Sequence, residues 1–211
     1  MRRLGSKNCS PSARHRLTQH CSGVFDAAAG QTLYLFIDFK TRDGGEFEAA
    51  EEALQPLLDA DYLTAYNGSA VVRGPVTVIG TGYTALSAVV AQEPRYIFYD
   101  APLASLSRPG YENVTSAVSQ IASTSFASNF GRVVRQRAAD SEGPLNSTQL
   151  ELLRNHVSTA HERGILTRYW ATPGYPIGTR NAVWRTLIDE GVDLLNVDDL
   201  AGATGFWEGS G

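Results

Sequence analysis

Leu33-Tyr-Leu-Phe-Ile-Asp-Phe-Lys-Thr41 is an apolar run interrupted by Asp38 and closed by Lys40. Successive side chains of a strand point to opposite faces, so a strand here sets Asp38 and Lys40 on one face. Charge seldom sits in so apolar a run without a partner. Two related stretches lie near the other end, Arg168-Tyr-Trp170 and Val192-Asp-Leu-Leu-Asn-Val-Asp-Asp199. The same alternation puts Arg168 with Trp170, and Asn196 with Asp198. Each stretch reads as a buried parallel strand with polar groups where it emerges. A carboxylate, an ammonium, an indole and a second carboxylate at the C-terminal ends of parallel strands are the parts of a (β/α)-barrel active site.

Strand-like and helix-like segments alternate between these stretches. Residues 45–60 repeat apolar side chains at Phe47, Ala50, Leu54 and Leu58, a helical period that Pro56 is expected to kink or shorten. Residues 75–79 read as a strand stopped by Gly80-Thr-Gly82, 84–91 as a short helix, 96–99 as a strand and 123–127 as another. Asn146-Ser-Thr148 is expected to cap a helix running through Leu150, Leu153, Val157 and Ala160, ended by Gly164. A strand at 165–170, a helix at 179–190 and a last strand at 192–197 follow. Apolar strands separated by helices imply βαβ units and a mainly parallel sheet. About six strands are expected, against eight in a closed barrel of the common type. An open doubly wound sheet also suits about six, but no glycine-rich dinucleotide turn is present. On the residues alone both architectures stay open.

The chain has 211 residues, 43% hydrophobic and 19% charged, which suits a single domain with a substantial core. A net charge of -4 gives no support for a nucleic-acid surface. No apolar run approaches the roughly 18 residues of a membrane span. Residues 1–21 stand apart, carrying Arg2, Arg3, Lys7, Arg14 and Arg16 and no acid. They read as a transit peptide, or as a disordered tail or a wrongly assigned start. The expected division is a basic segment at 1–30 and a folded domain at 31–211. Cys9 and Cys21 fall in that first segment, either paired or free. Glycosylation sequons begin at Asn8, Asn67, Asn113 and Asn146, a mild pointer to a secretory route beside the mitochondrial one. Oligomeric state has no signal in the sequence.

Asp38 is a candidate oxygen ligand for Mg²⁺, and Lys40 a candidate for neutralising phosphate charge. Arg168 suits a bidentate clamp on phosphate, with Trp170 as a pocket wall. Of Asp198 and Asp199, one is expected to face the site and the other to cap a helix. Thr77, Thr81 and Asp100 are weaker candidates for the same mouth. His15 and His20 lie in the basic segment, and His156 and His161 inside a helix, so no histidine is placed for acid–base work.

At these residues the chain resembles the fungal altered inheritance of mitochondria protein 6 family, among the phospholipase C-like phosphodiesterases. Glycerophosphodiester phosphodiesterases and sphingomyelinase D enzymes are its relatives. The resemblance is carried by Leu35-Phe-Ile-Asp-Phe-Lys-Thr41, Gly74-Pro-Val-Thr-Val-Ile-Gly-Thr-Gly82, Ile97-Phe-Tyr-Asp-Ala-Pro-Leu103, Arg168-Tyr-Trp-Ala-Thr-Pro173 and Gly191-Val-Asp-Leu-Leu-Asn-Val-Asp-Asp-Leu200. It implies an α/β fold of the TIM type, a (β/α) barrel incomplete with about six of its eight strands. It also implies Mg²⁺ at Asp38, a phosphate contact at Lys40, a pocket wall at Trp170 and a site role at Asp198.

The family's catalytic histidines and its paired metal-binding acids have no counterpart in this sequence, which reads as the C-terminal portion of such a barrel. The expected function is a Mg²⁺-dependent hydrolase domain for small-molecule, lipid-type or glycerol phosphodiesters, weakly active or inactive as it stands. The alternative is a non-catalytic barrel remnant that binds phosphate or lipid. A third reading, an open α/β sheet of unrelated function, requires that Asp38, Trp170 and Asp198 share no pocket.

Overall fold

The computed structural model describes residues 23–25, 27–28, 30–42, 45–131, 133 and 143–208. Among these residues six parallel strands form a curled half-barrel sheet within an α/β fold of six α-helices. In chain order they are β1 (Leu33–Phe39), β4 (Val76–Gly82), β5 (Ile97–Pro102), β6 (Ile121–Ser125), β7 (Leu166–Trp170) and β8 (Leu194–Leu195). Their order in space is the same as in the chain. A separate antiparallel hairpin, β2 (Ala65–Tyr66) and β3 (Val71–Val72), lies between β1 and β4 in sequence.

Alternation divides the strand residues between two layers. On the outer face Phe39, Val78 and Ile97 pack with Phe47 and Leu54 of α1 (Gly45–Asp59) and Val89 of α2 (Leu86–Ala91). Further along, Ala101, Ala122 and Tyr169 pack with Leu153 and Val157 of α4 (Ser147–His161) and Leu187 of α5 (Ile177–Asp189). On the inner face Ile79, Phe98 and Ile121 are fully buried, with Tyr34, Phe36, Leu166 and Leu194 against them. Tyr66 and Val71 of the hairpin join this inner cluster. Each such fully buried large side chain contributes about 1.5–3 kcal/mol.

Several elements differ from the sequence-based expectations. α1 continues through Pro56 to Asp59. Pro56 and Glu52 are both exposed, so the carbonyl that the proline leaves unbonded can be hydrated. β6 begins at Ile121, and Phe126 belongs to α3 (Phe126–Phe130). The Ser125 side chain accepts a hydrogen bond from Ser128 N and so starts that helix. The last strand is confined to Leu194–Leu195, and α6 (Leu200–Glu208) follows it. The expected cap is present at Asn146: its side chain accepts from Gln149 N at 2.9 Å, and the Gln149 side chain accepts from Asn146 N at 2.9 Å. Cys9, Cys21, Asn8 and most of the basic segment lie outside the described residues.

Candidate functional site

The inner-face alternation continues past the apolar layer and turns polar. Two residues beyond Ile79, Phe98, Ile121, Leu166 and Leu194 come Thr81, Asp100, Ser123, Arg168 and Asn196. These five face inward near the C-terminal ends of the strands, staggered by a register that sets Asp100 opposite Ile121, Ser123 opposite Arg168 and Arg168 opposite Leu194. One step further come Pro102, Trp170 and Asp198. Together with Phe36 and Asp38 of β1 they line a cavity of about 800 Å³.

Arg168 is the best-held group in it. Its Nη1 donates to Ser123 Oγ at 3.4 Å and its Nη2 donates to Asn196 Oδ1. The guanidinium lies over the Phe36 ring, 4.6 Å from its centroid. Burial lowers its pKa and the charge of Asp100 opposes that shift. Among the described residues it has no carboxylate within 4.0 Å, so its charge is held by neutral groups and is available to an anion.

Asp100 is half-buried. Burial raises its carboxyl pKa, while the hydroxyls of Ser123 and Thr81 and the charge of Arg168 pull it back. Those hydroxyls stand near, yet among the described residues Asp100 Oδ1 has no hydrogen bond of good geometry. Asp38 is joined to Lys40, whose Nζ donates to Asp38 Oδ2 at 2.5 Å. That bond, more than the charge of Asp38, raises the lysine pKa. Glu46 of α1 fixes the turn behind them, its Oε2 accepting from Lys40 N at 2.7 Å and from Thr41 N at 3.0 Å.

The cavity thus brings together Asp38, Arg168, Trp170 and Asp198. Lys40 is not on its wall; the ammonium is largely exposed at the rim, bonded to Asp38. Trp170 is 45% exposed and forms an edge of the mouth. Asp198 lines the cavity, while Asp199 caps α6 by accepting from Gly202 N at 2.8 Å and pairs with Arg180 at 2.6 Å. Thr81 and Asp100 are on the wall, but Thr77 is not. Thr77 lies four residues before Thr81, roughly 13 Å lower along the strand, where it is bonded to Thr32 at 2.9 Å and Thr64 at 2.7 Å. In the sequence Ser123 stands out only as part of a strand, although it lies two residues before Ser125, the register partner of Trp170. The register partner of Ser123 is Arg168.

The oxygen donors of this wall suit Mg²⁺ by type but not by number. Among the described residues no three His, Cys, Asp or Glu side chains gather to hold a metal ion, and Mg²⁺ requires near-octahedral coordination. No histidine lines the cavity among these residues. His156 Nδ1 is 2.8 Å from the Tyr169 hydroxyl in the core, and His161 Nε2 is 2.8 Å from Asp193 Oδ2. Among the described residues no helix is long and apolar enough to cross a membrane.

Residues 1–100 match the family model of the AIM6-like phosphodiesterase domain. The "Altered inheritance of mitochondria protein 6 homolog" of Arthroderma benhamiae is 50% identical over 191 residues, which cover 90% of this chain and 57% of the relative. The "Altered inheritance of mitochondria protein 6" of Eremothecium gossypii is 36% identical over 192 residues, 87% of this chain and 49% of that protein. The Saccharomyces cerevisiae (strain YJM789) protein of that name is 30% identical over 218 residues, 93% of this chain and 52% of its own. The chain therefore spans about half the length of the curated relatives it matches. No solved structure matches it. Similarity over nine-tenths of the chain, at 50% identity to the Arthroderma benhamiae protein, makes this chain a member of the fungal altered inheritance of mitochondria protein 6 family.

Proposed function

We propose that the chain is a phosphoric diester hydrolase domain whose six-strand arc is the larger part of a TIM-type barrel. Its cavity holds the phosphoryl group of a lipid-type or glycerol phosphodiester. The observation that carries this reading is Arg168: a half-buried guanidinium at the C-terminal end of a parallel strand, oriented by Ser123 and Asn196 and with no carboxylate within 4.0 Å among the described residues. Such a fork matches two phosphoryl oxygens at once. Lys40 at the rim screens charge that develops as the phosphorus–oxygen bond breaks. Trp170 and Asp198 wall the side where the alcohol group lies. Asp38 would supply one oxygen ligand to Mg²⁺, of a set that the described residues do not complete, and no chemical step is assigned to the metal.

The test is binding and turnover of glycerophosphocholine by the chain. Binding is expected to weaken about tenfold in Arg168→Gln, the loss of one charge-assisted contact. Affinity unchanged by that substitution would remove the reading. A second reading, a phosphate- or lipid-binding module without turnover, is favoured by the lack of a histidine on the described cavity wall. It predicts binding that needs Arg168 and Trp170, survives Asp38→Asn, and is accompanied by no product with or without Mg²⁺.

A further inference from the structure

Building on the diester reading, we propose that Asp100 is a specificity-determining residue that admits singly charged phosphate diesters and turns away doubly charged phosphate monoesters. Asp38, Asp100 and Asp198 line the cavity with Arg168, and Lys40 joins Asp38 at the rim. Three carboxylates against two cations leave the site one net negative charge. The neighbouring Asp199 and Arg180 cancel each other.

Within this set Asp100 has the decisive place. It stands on β5, Ser123 on β6 and Arg168 on β7, all facing the cavity; the register sets Ser123 opposite Arg168 and Asp100 opposite Ile121, one inward step below them. Asp100 and Arg168 feel each other's charge, yet form no ion pair within 4.0 Å among the described residues. A phosphate held by Arg168 therefore lies beside the Asp100 carboxylate. A diester brings one negative charge to that position. A monoester above about pH 6 brings close to two, and the second is placed against a like charge in a cavity where water screens it weakly. A half-buried carboxylate with an oxygen left unbonded among the described residues costs stability. Selection against the second charge is what it supplies.

The probes are dimethyl phosphate and methyl phosphate, titrated into the whole chain at about pH 8 with a chelator present and followed by NMR. Methyl phosphate is the smaller ion, so a preference for the diester cannot come from size. The unmodified chain is expected to bind dimethyl phosphate at least about fivefold more tightly. Asp100→Asn is expected to shrink that ratio about tenfold, through a gain for methyl phosphate. Asp198→Asn removes the same charge from the rim and should change the ratio by less than about twofold. An equal effect of the two substitutions assigns the preference to net charge and overturns the role of Asp100. Methyl phosphate binding as tightly as the diester to the unmodified chain overturns the proposal alone, whether or not the variants fold. If neither ion binds the unmodified chain, the diester reading falls, and this proposal with it.

Discussion

Gly82 shows how closely backbone and site are linked at the residue scale. It ends β4 with φ +68°, a left-handed conformation that glycine adopts freely. A Cβ added there would meet Asp38 Oδ1 and the Phe39 carbonyl. Gly82 is also the register partner of Phe39, so β1 and β4 approach closely at the cavity wall. Gly82→Ala is therefore expected to cost about 2 kcal/mol from backbone strain alone, lowering the melting midpoint by roughly 4–8 °C. It should also break the Asp38–Lys40 bond, because the added methyl displaces the carboxylate. A thermal melt checks the first effect, and the NMR titration shift of the Lys40 ammonium checks the second. A variant with the parent's melting midpoint would show that the turn tolerates a side chain.

At the scale of elements, α4 is attached to β7 by one buried polar contact. His156 is 8% exposed and its Nδ1 meets the Tyr169 hydroxyl, inside the cluster that includes Phe126, Phe130 and Leu153. Burial lowers the His156 pKa below its ordinary 6.5 and raises that of Tyr169. The folded state thus keeps the imidazole neutral, while the unfolded chain takes up a proton as the pH falls through about 6.5. This contribution to stability is complete above that value and is lost progressively below it. Melting midpoints are expected to decline from about pH 7.5 to 5, and the decline should be shallower in His156→Gln. Glu190 and Asp199, whose pKa values are lowered by Arg154 and by the Gly202 amide, lose their contributions only in more acid solution. Equal slopes in the two proteins would mean that His156 is protonated in the fold. The same elements show what the sequence can reveal. β1, β4, β5 and β7 are legible because each is an apolar run closed by polar residues, and period-two counting from Arg168 and Asp38 finds half the cavity wall. α6 is hidden by the four alanine and glycine residues in Leu-Ala-Gly-Ala-Thr-Gly, which have no clear helical pattern. The hairpin is hidden because each of its strands has only two residues, flanking an Asn67-Gly68 turn that also reads as a sequon. Ser123 gains meaning only when register places it beside Arg168, while Asp100, already a candidate for the mouth, joins them on the cavity wall.

At the scale of the whole molecule, the sheet presents two edges. Among the described residues β1 pairs only with β4, and β8 only with β7. A parallel strand with an unpaired side presents a row of amide and carbonyl groups to any other chain. β1 adds apolar surface to that edge, since Leu33 and Leu35 are 39% and 38% exposed. The strand has no proline, and its charge is confined to the end at Asp38 and, just beyond, Lys40. Charged side chains, proline and bulges are the usual protection of an edge, and this one is long and apolar over most of its length. The chain by itself is therefore expected to associate as concentration rises. Sedimentation velocity over a concentration series should show a sedimentation coefficient that climbs above the monomer value. Leu35→Lys places a charge in the middle of the edge without touching the cavity, because Leu35 points to the face opposite Phe36 and Asp38. That variant should remain a monomer over the same range and keep its affinity for a phosphodiester. Monomeric behaviour of the unmodified chain throughout the series would mean that the β1 edge is covered by another part of the same molecule.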